Sequence, residues 1–206
     1  MGAFSPMLEL ETPRGPARVH LHPAPDAWAA LILGHGAGGG VGAPDLVAAA
    51  DAAREASVSV VLVEQPYRVA GRRSPAPAAQ LDEAWVSVLE QLGAGELGGL
   101  PLLVGGRSSG ARVACRTAAT TGAAGVVCLA FPLQPPGRAS APSRLPELDG
   151  VSVPTLVVQG ERDPFGVPPA SASRSVVLVP GDHSLRAASA VKGAVRGWLD
   201  GLGAGG

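Results

Sequence analysis

From Trp28 onward the apolar positions alternate between two textures. One is the short unbroken run: WAALILG at 28–34, VSVVLVE at 58–64, LPLLVGG at 100–106, GVVCLAF at 125–131, VPTLVVQG at 153–160 and SVVLVP at 175–180. Runs of this length without polar alternation predict strands buried on both faces. The other is a stripe recurring every three or four residues, which predicts an amphipathic helix. Leu46, Val47, Ala50 and Ala53 mark one such stripe within APDLVAAADAAREAS (43–57), with Pro44 in its first turn. Leu81, Ala84, Trp85, Val88 and Leu92 mark a second. SSGARVACRTAAT (108–120) reads as a third helix, and Leu185, Ala188, Val191, Val195, Trp198 and Leu202 as the last.

Ahead of this region, MLELE and ARVHLH read as two short strands joined by the turn-like TPRGP. Strands that alternate with helices predict a doubly wound, mostly parallel α/β sheet flanked by helices. One domain is expected across 1–206, with flexible ends at about 1–5 and 203–206, the last within GLGAGG. The one long irregular stretch, 132–151, is too short to build a second domain or a substantial lid. A ligand site belongs at the carboxyl ends of the parallel strands.

Composition removes several function classes. Hydrophobic residues make up 46% and charged residues 16%, which provides for a large core and argues against disorder. The net charge is −1 with no basic block, so nucleic acid is not an expected partner. No run reaches the ~18 apolar residues of a membrane span, and the N-terminal residues have no signal-peptide pattern. Two cysteines, Cys115 and Cys128, make no disulfide framework or metal-ligand spacing, and both read as core. A cytoplasmic protein is the expectation. His20 and His22 share a strand face without a third ligand, so a solvated face is expected rather than a metal site. Oligomeric state leaves no signature in the sequence.

GHGAGGG at 34–40 directly follows a buried run, and it admits two readings. Gly34, Gly36 and Gly39 satisfy G-x-G-x-x-G, and Glu64 ends the next strand where a ribose-binding acid would sit. That pattern is weak in a chain with 29 glycines. The second reading draws on more of the chain. Gly106-Arg107-Ser108-Ser109-Gly110 is a G-x-S-x-G between a buried strand and a helix, the setting of a nucleophile elbow. Asp163 follows the next-to-last strand and His183 follows the final one. Ser, then Asp, then His, each at a strand's carboxyl end, is the triad order of α/β-hydrolases. Ser108 is the expected nucleophile, His183 the base and Asp163 the orienting acid, with Glu161 as the alternative acid. An N-cap serine is the structural alternative for Ser108. The N–H of Ser109 and that of Ala37 or Gly38 are the expected oxyanion donors.

The chain resembles the small dienelactone-hydrolase-like α/β-hydrolases. More narrowly it resembles the family of bacterial predicted hydrolases, testis-expressed protein 30 and NSL-complex subunit 3. The matching stretches are HGAGG (35–39), QPYRVAGRRSPAP (65–77), GGRSSGARVA (105–114), FPLQPPG (131–137), QGERDPFG (159–166) and DHSL (182–185). The resemblance implies that His35 supports the oxyanion loop, and Arg72 keeps the family-like GRR; Tyr67 could line the substrate pocket or merely pack. Arg68, Arg72 and Arg73 could hold a substrate carboxylate or form a solvated loop. The expected function is hydrolysis of an ester-like bond in a small or exposed acyl substrate, without metal or organic cofactor. A non-catalytic binding or scaffold protein and a dinucleotide-binding oxidoreductase are the alternatives.

Overall fold

The computed structural model describes residues 6–138 and 140–204. The chain opens with the antiparallel pair β1 (Met7–Leu10) and β2 (Ala17–His22). There follow β3 (Ala29–Gly34), α1 (Pro44–Glu55), β4 (Val58–Glu64), α2 (Pro66–Val69) and α3 (Ala78–Ala94). Then come β5 (Leu102–Arg107), α4 (Ser109–Thr117), β6 (Gly125–Leu129) and α5 (Leu145–Asp149). The chain closes with β7 (Thr155–Gly160), β8 (Arg174–Val179) and α6 (Ala188–Gly203). The eight strands of the described residues join one sheet in the order β1-β2-β4-β3-β5-β6-β7-β8. Pairing is parallel from β4 through β8, while β2 runs antiparallel to both β1 and β4.

The unbroken apolar runs are explained by the layers. Successive side chains of a strand point to opposite faces. Ala30, Ile32, Val104, Val126 and Val157 pack with Trp85 and Leu89 of α3, Val113 of α4 and Leu148 of α5. Leu31, Leu33, Leu103, Val127 and Val158 pack with Leu46 of α1 and Val191, Val195 and Leu199 of α6. A strand covered on both sides needs apolar residues at every position. Each fully buried leucine here contributes about 1.5–3 kcal/mol of transfer free energy.

Four details depart from the sequence-based expectations. Leu185 is fully buried but lies outside α6: it sits in a turn at φ 45°, with its N–H donating to the Asp182 carbonyl. Its three-residue spacing from Ala188 imitates helical periodicity. The short helices α2 and α5 form in segments read as loop, and α5 buries Leu148 in the core. The third helix ends at Thr117 rather than 120. α6 runs through Gly203, three residues into GLGAGG. Of the expected flexible ends, 1–5 and 205–206 lie outside the described residues.

Cys115 and Cys128 are both buried, with their sulfurs 3.5 Å apart and unlinked. The contact with Cys115, and then burial, pushes the Cys128 thiol well up, as expected for an unreactive core thiol.

Candidate active site

Ser108 connects β5 to α4 at φ 51°, ψ −105°. A non-glycine residue adopts such a backbone at a cost of about 1–3 kcal/mol. The flanking glycines make the turn possible. A Cβ on Gly106 would lie 2.4 Å from the Gly34 carbonyl oxygen. A Cβ on Gly110 would lie 2.4 Å from that same oxygen and 2.6 Å from the Gly34 carbonyl carbon. The obstructing atoms are main chain, which cannot rotate away. The G-x-S-x-G spacing therefore follows from how tightly β5 and α4 meet the end of β3. The Ser108 N–H donates to the Leu129 carbonyl at 2.8 Å. Ser109 begins α4, where amide hydrogens have no partner within the helix.

Asp163 is built into the turn after β7. Its N–H donates to the Gly160 carbonyl, and its carboxylate accepts from the Phe165 N–H at 2.9 Å and from Gln159 Nε2 at 2.8 Å. At Gly160 the end of β7 meets the loop after β8 main chain to main chain, since a Cβ there would sit 2.4 Å from the Asp182 carbonyl oxygen. That contact brings His183 beside Asp163. His183 Nδ1 lies 2.8 Å from Asp163 Oδ2, and Nε2 lies 2.9 Å from Ser108 Oγ. A carboxylate only accepts, so Nδ1 carries the proton and Nε2 faces the Ser108 hydroxyl as an acceptor. Phe165 lies against the imidazole, with ring centroids 4.3 Å apart and planes inclined by 36°. The alternative acid Glu161 is exposed and makes no such contact. Asp182 accepts from the Ser184 N–H instead, which holds its carboxyl below the usual range.

The loop after β3 passes beside Ser108: a Cβ on Gly36 would be 3.7 Å from that of Ser108. His35 is buried, and its Nε2 accepts from the Gln65 N–H at 3.1 Å while Nδ1 donates to the Gly36 carbonyl at 2.8 Å. Only the neutral ring makes both bonds, and burial holds its pKa below the ordinary 6.5. The Tyr67 hydroxyl donates to the Ala37 carbonyl at 2.9 Å, and burial pushes the phenol up. These bonds hold the two carbonyls that precede Gly38. Ala37 is half-buried and Gly38 exposed.

Arg72 falls elsewhere. It is exposed and lines a groove of about 330 Å³ shared with Arg14, Gln65, Tyr67 and Gln80, but not with Ser108, Asp163 or His183. Arg68 donates to the Arg72 carbonyl at 3.4 Å. Glu64, the acid a dinucleotide ribose would need, is engaged with His20 at 2.7 Å. A second open groove, about 370 Å³, runs beside Phe165 along Leu133, Pro135, Pro136 and Pro164. Among the described residues, no group of His, Cys, Asp and Glu is arranged to hold a metal ion.

Three contributors escaped the sequence reading. Gln159 donates not only to Asp163 but to the carbonyls of Phe131 and Gly166, at 3.1 and 2.9 Å. A lone polar residue near the end of an apolar strand is its signal. Phe165 carries no signal beyond standing in the Asp163 turn. Arg107 lies 2.8 Å from the buried carboxylate of Asp45 through Nε and donates through Nη2 to the His183 carbonyl at 3.0 Å. Nothing in the sequence pairs it with an acid so distant in the chain.

The sheet order, the strained serine turn and the hydrogen-bonded Ser-His-Asp line together define an α/β-hydrolase fold. The chain belongs to the family described as alpha/beta hydrolase domain, whose model matches residues 27–193. Among solved structures it is similar to a serine hydrolase without a lid from Xanthomonas campestris, at 22% identity and a TM-score of 0.76. That alignment covers 98% of this chain and 96% of the other. An alpha-beta serine hydrolase homologue from Coxiella burnetii aligns over 98% of this chain and 99% of its own, at 18% identity and TM-score 0.76. A dienelactone hydrolase from Anabaena variabilis aligns over 95% of both chains, at 17% identity and TM-score 0.73. No curated protein matches the chain. Among the described residues no helix is long and apolar enough to cross a membrane.

Proposed function

We propose that the protein is a serine hydrolase, carboxylesterase-like, that cleaves an ester-like bond in a small or exposed acyl substrate through an acyl-enzyme. The observation that carries this reading is the line Ser108–His183–Asp163, joined at 2.9 and 2.8 Å on a strained turn. Ser108 Oγ attacks the carbonyl carbon as its proton passes to His183 Nε2. Asp163 keeps the Nδ1 proton in line and stabilises the imidazolium. The developing oxyanion takes the Ser109 N–H and a second from Ala37 or Gly38, each such donor lowering the barrier by about 2.7–4 kcal/mol. His183 returns the proton to the leaving alcohol as the C–O bond breaks. Water, deprotonated by the same imidazole, then releases the acid.

His35 and Tyr67 act by fixing the oxyanion loop rather than by touching the reacting atoms. Arg72 would meet only a substrate that extends into its groove. Partly exposed Ser108 and His183, with the short α5 the one helix among the described residues of 132–151, support small or exposed acyl groups. A cytoplasmic setting belongs to the same proposal, and rests on a sequence whose two cysteines make no disulfide framework. We extend the proposal to one hydrolase domain across 1–206, and to kinship with testis-expressed protein 30 and NSL-complex subunit 3, which rests on QPYRVAGRRSPAP and FPLQPPG.

Intact-mass labelling with a fluorophosphonate tests the reading. One adduct is expected on wild type and none on Ser108→Ala. No adduct on folded wild type overturns it and favours a scaffold role.

A further inference from the structure

Arg107 fills the variable position before the serine of G-x-S-x-G, where a side chain has no role in the chemistry. Its guanidinium nevertheless contacts two other parts of the site and lies beside a third. Nε is 2.8 Å from Asp45 Oδ2, off the direction of a good hydrogen bond, so this contact is an ion pair. The Asp45 side chain has no solvent exposure, and its other oxygen accepts from the Leu46 N–H at the start of α1. Nη2 donates to the main-chain carbonyl of His183 at 3.0 Å. Nη1 lies under the oxyanion loop, 2.9 Å from where a Gly36 Cβ would be.

We infer that Arg107, neutralised by Asp45, is a positioning residue that fixes the His183 loop relative to Ser108. The inference rests on the hydrolase reading for its catalytic consequence, though not for its mechanical one. Arg107 is covalently adjacent to Ser108, so a bond from its side chain to His183 ties nucleophile and base into one unit. The planar guanidinium donates to the His183 carbonyl through Nη2 while Nε pairs with the Asp45 carboxylate, a combination that a lysine ammonium on its flexible stem does not hold in place. Asp45 supplies the opposite charge that lets a cation sit only one-fifth exposed beneath a backbone turn. No other bond from a side chain to the His183 carbonyl is present among the described residues. Without it, the imidazole keeps Asp163 on one side but loses the main-chain anchor that sets its distance to Ser108.

The test uses two variants and two readouts. Arg107→Lys keeps the charge opposite Asp45 and loses the fork. Arg107→Met with Asp45→Asn removes both charges, so neither is left buried alone. Each variant is melted to establish that it is folded. Fluorophosphonate labelling and small-ester kinetics then report the chemistry, and amide hydrogen exchange across 180–187 reports the loop. A displacement of about 1 Å in a catalytic group costs on the order of 10²-fold in rate. Labelling and kcat should therefore fall by about that factor in both variants. KM should stay within about twofold, since the argument gives no lost substrate contact. Exchange across 180–187 should rise about tenfold or more, the amount expected when a loop opening becomes ~1.4 kcal/mol easier. Labelling and exchange both within twofold of wild type in a folded variant overturn the inference. A wild type that takes no label contradicts the hydrolase reading alone, and the exchange comparison still decides whether Arg107 holds the loop.

Discussion

Gly110→Ala tests the account of the serine turn most directly. The added methyl would start 2.4 Å from the Gly34 oxygen, 2.6 Å from the Gly34 carbon and 2.9 Å from the His35 oxygen. Ordinary contact begins at 3.4 Å, so α4 and the end of β3 must separate by about 1.0 Å, from 2.4 to 3.4 Å. All three obstructing atoms belong to the backbone at the centre of the sheet, where no rotamer change relieves the clash. Overpacking of this kind costs about 2–3 kcal/mol. For a domain of this size that lowers Tm by roughly 4–12 °C. The same movement carries the Ser109 N–H away from the loop after β3, so fluorophosphonate labelling should slow by about 10²-fold. Differential scanning fluorimetry and labelling kinetics read the two effects separately. A variant that melts with wild type and labels at its rate would refute the claim that main-chain proximity dictates this glycine.

Three further outcomes are expected. Asp163→Asn should lower kcat on a small p-nitrophenyl ester by about 10⁴, because the amide favours the wrong imidazole tautomer; a loss under tenfold contradicts the role. The folded pKa of His35 lies below the unfolded 6.5, so the unfolded chain takes up the proton first. Its stabilising contribution is then complete above pH 6.5 and is lost as pH falls from 6.5 toward the folded value, by at most about 1.4 kcal/mol per pH unit. His35→Gln should flatten the fall in Tm between pH 7.5 and 5 without abolishing it, since His22 is also held low by burial and then by Arg54. An unchanged slope would show that the imidazole is not held neutral. Gly197→Ala, inside α6 with open space around it, should stabilise by about 1 kcal/mol and raise Tm by roughly 2–4 °C; a decrease would mean that the helix surface there is covered.

The strands were legible because burial on both faces forces an uninterrupted apolar run, as in VSVVLVE. The serine turn was legible because steric limits fix Gly106 and Gly110 at set distances from Ser108. Asp163 and His183 could be read because each follows a strand end, and the structure joins His183 to Ser108 and Asp163 to His183. Helix ends were less legible: Leu185 keeps the periodicity of α6 while its backbone turns at positive φ. PYRV and LPELD are too short for periodicity to identify them as α2 and α5. Contacts between residues remote in the chain, such as Arg107 with Asp45, depend on how α1 and β5 dock and leave no local pattern. Arg72 illustrates the converse: its loop is adjacent to the site in topology, yet Ser108, Asp163 and His183 do not line its groove.

The close approach of Gly160 to the Asp182 carbonyl has a consequence for how such a chain can diversify. The loops that carry Asp163 and His183 touch through main chain, so an insertion between Gly160 and Asp163 or just ahead of His183 shifts acid against base. Those short stretches are thereby closed to new length. New length is free to enter the segments after β4 and β6, at 70–77 and 132–138, which border the two grooves and can lengthen without parting the acid from the base.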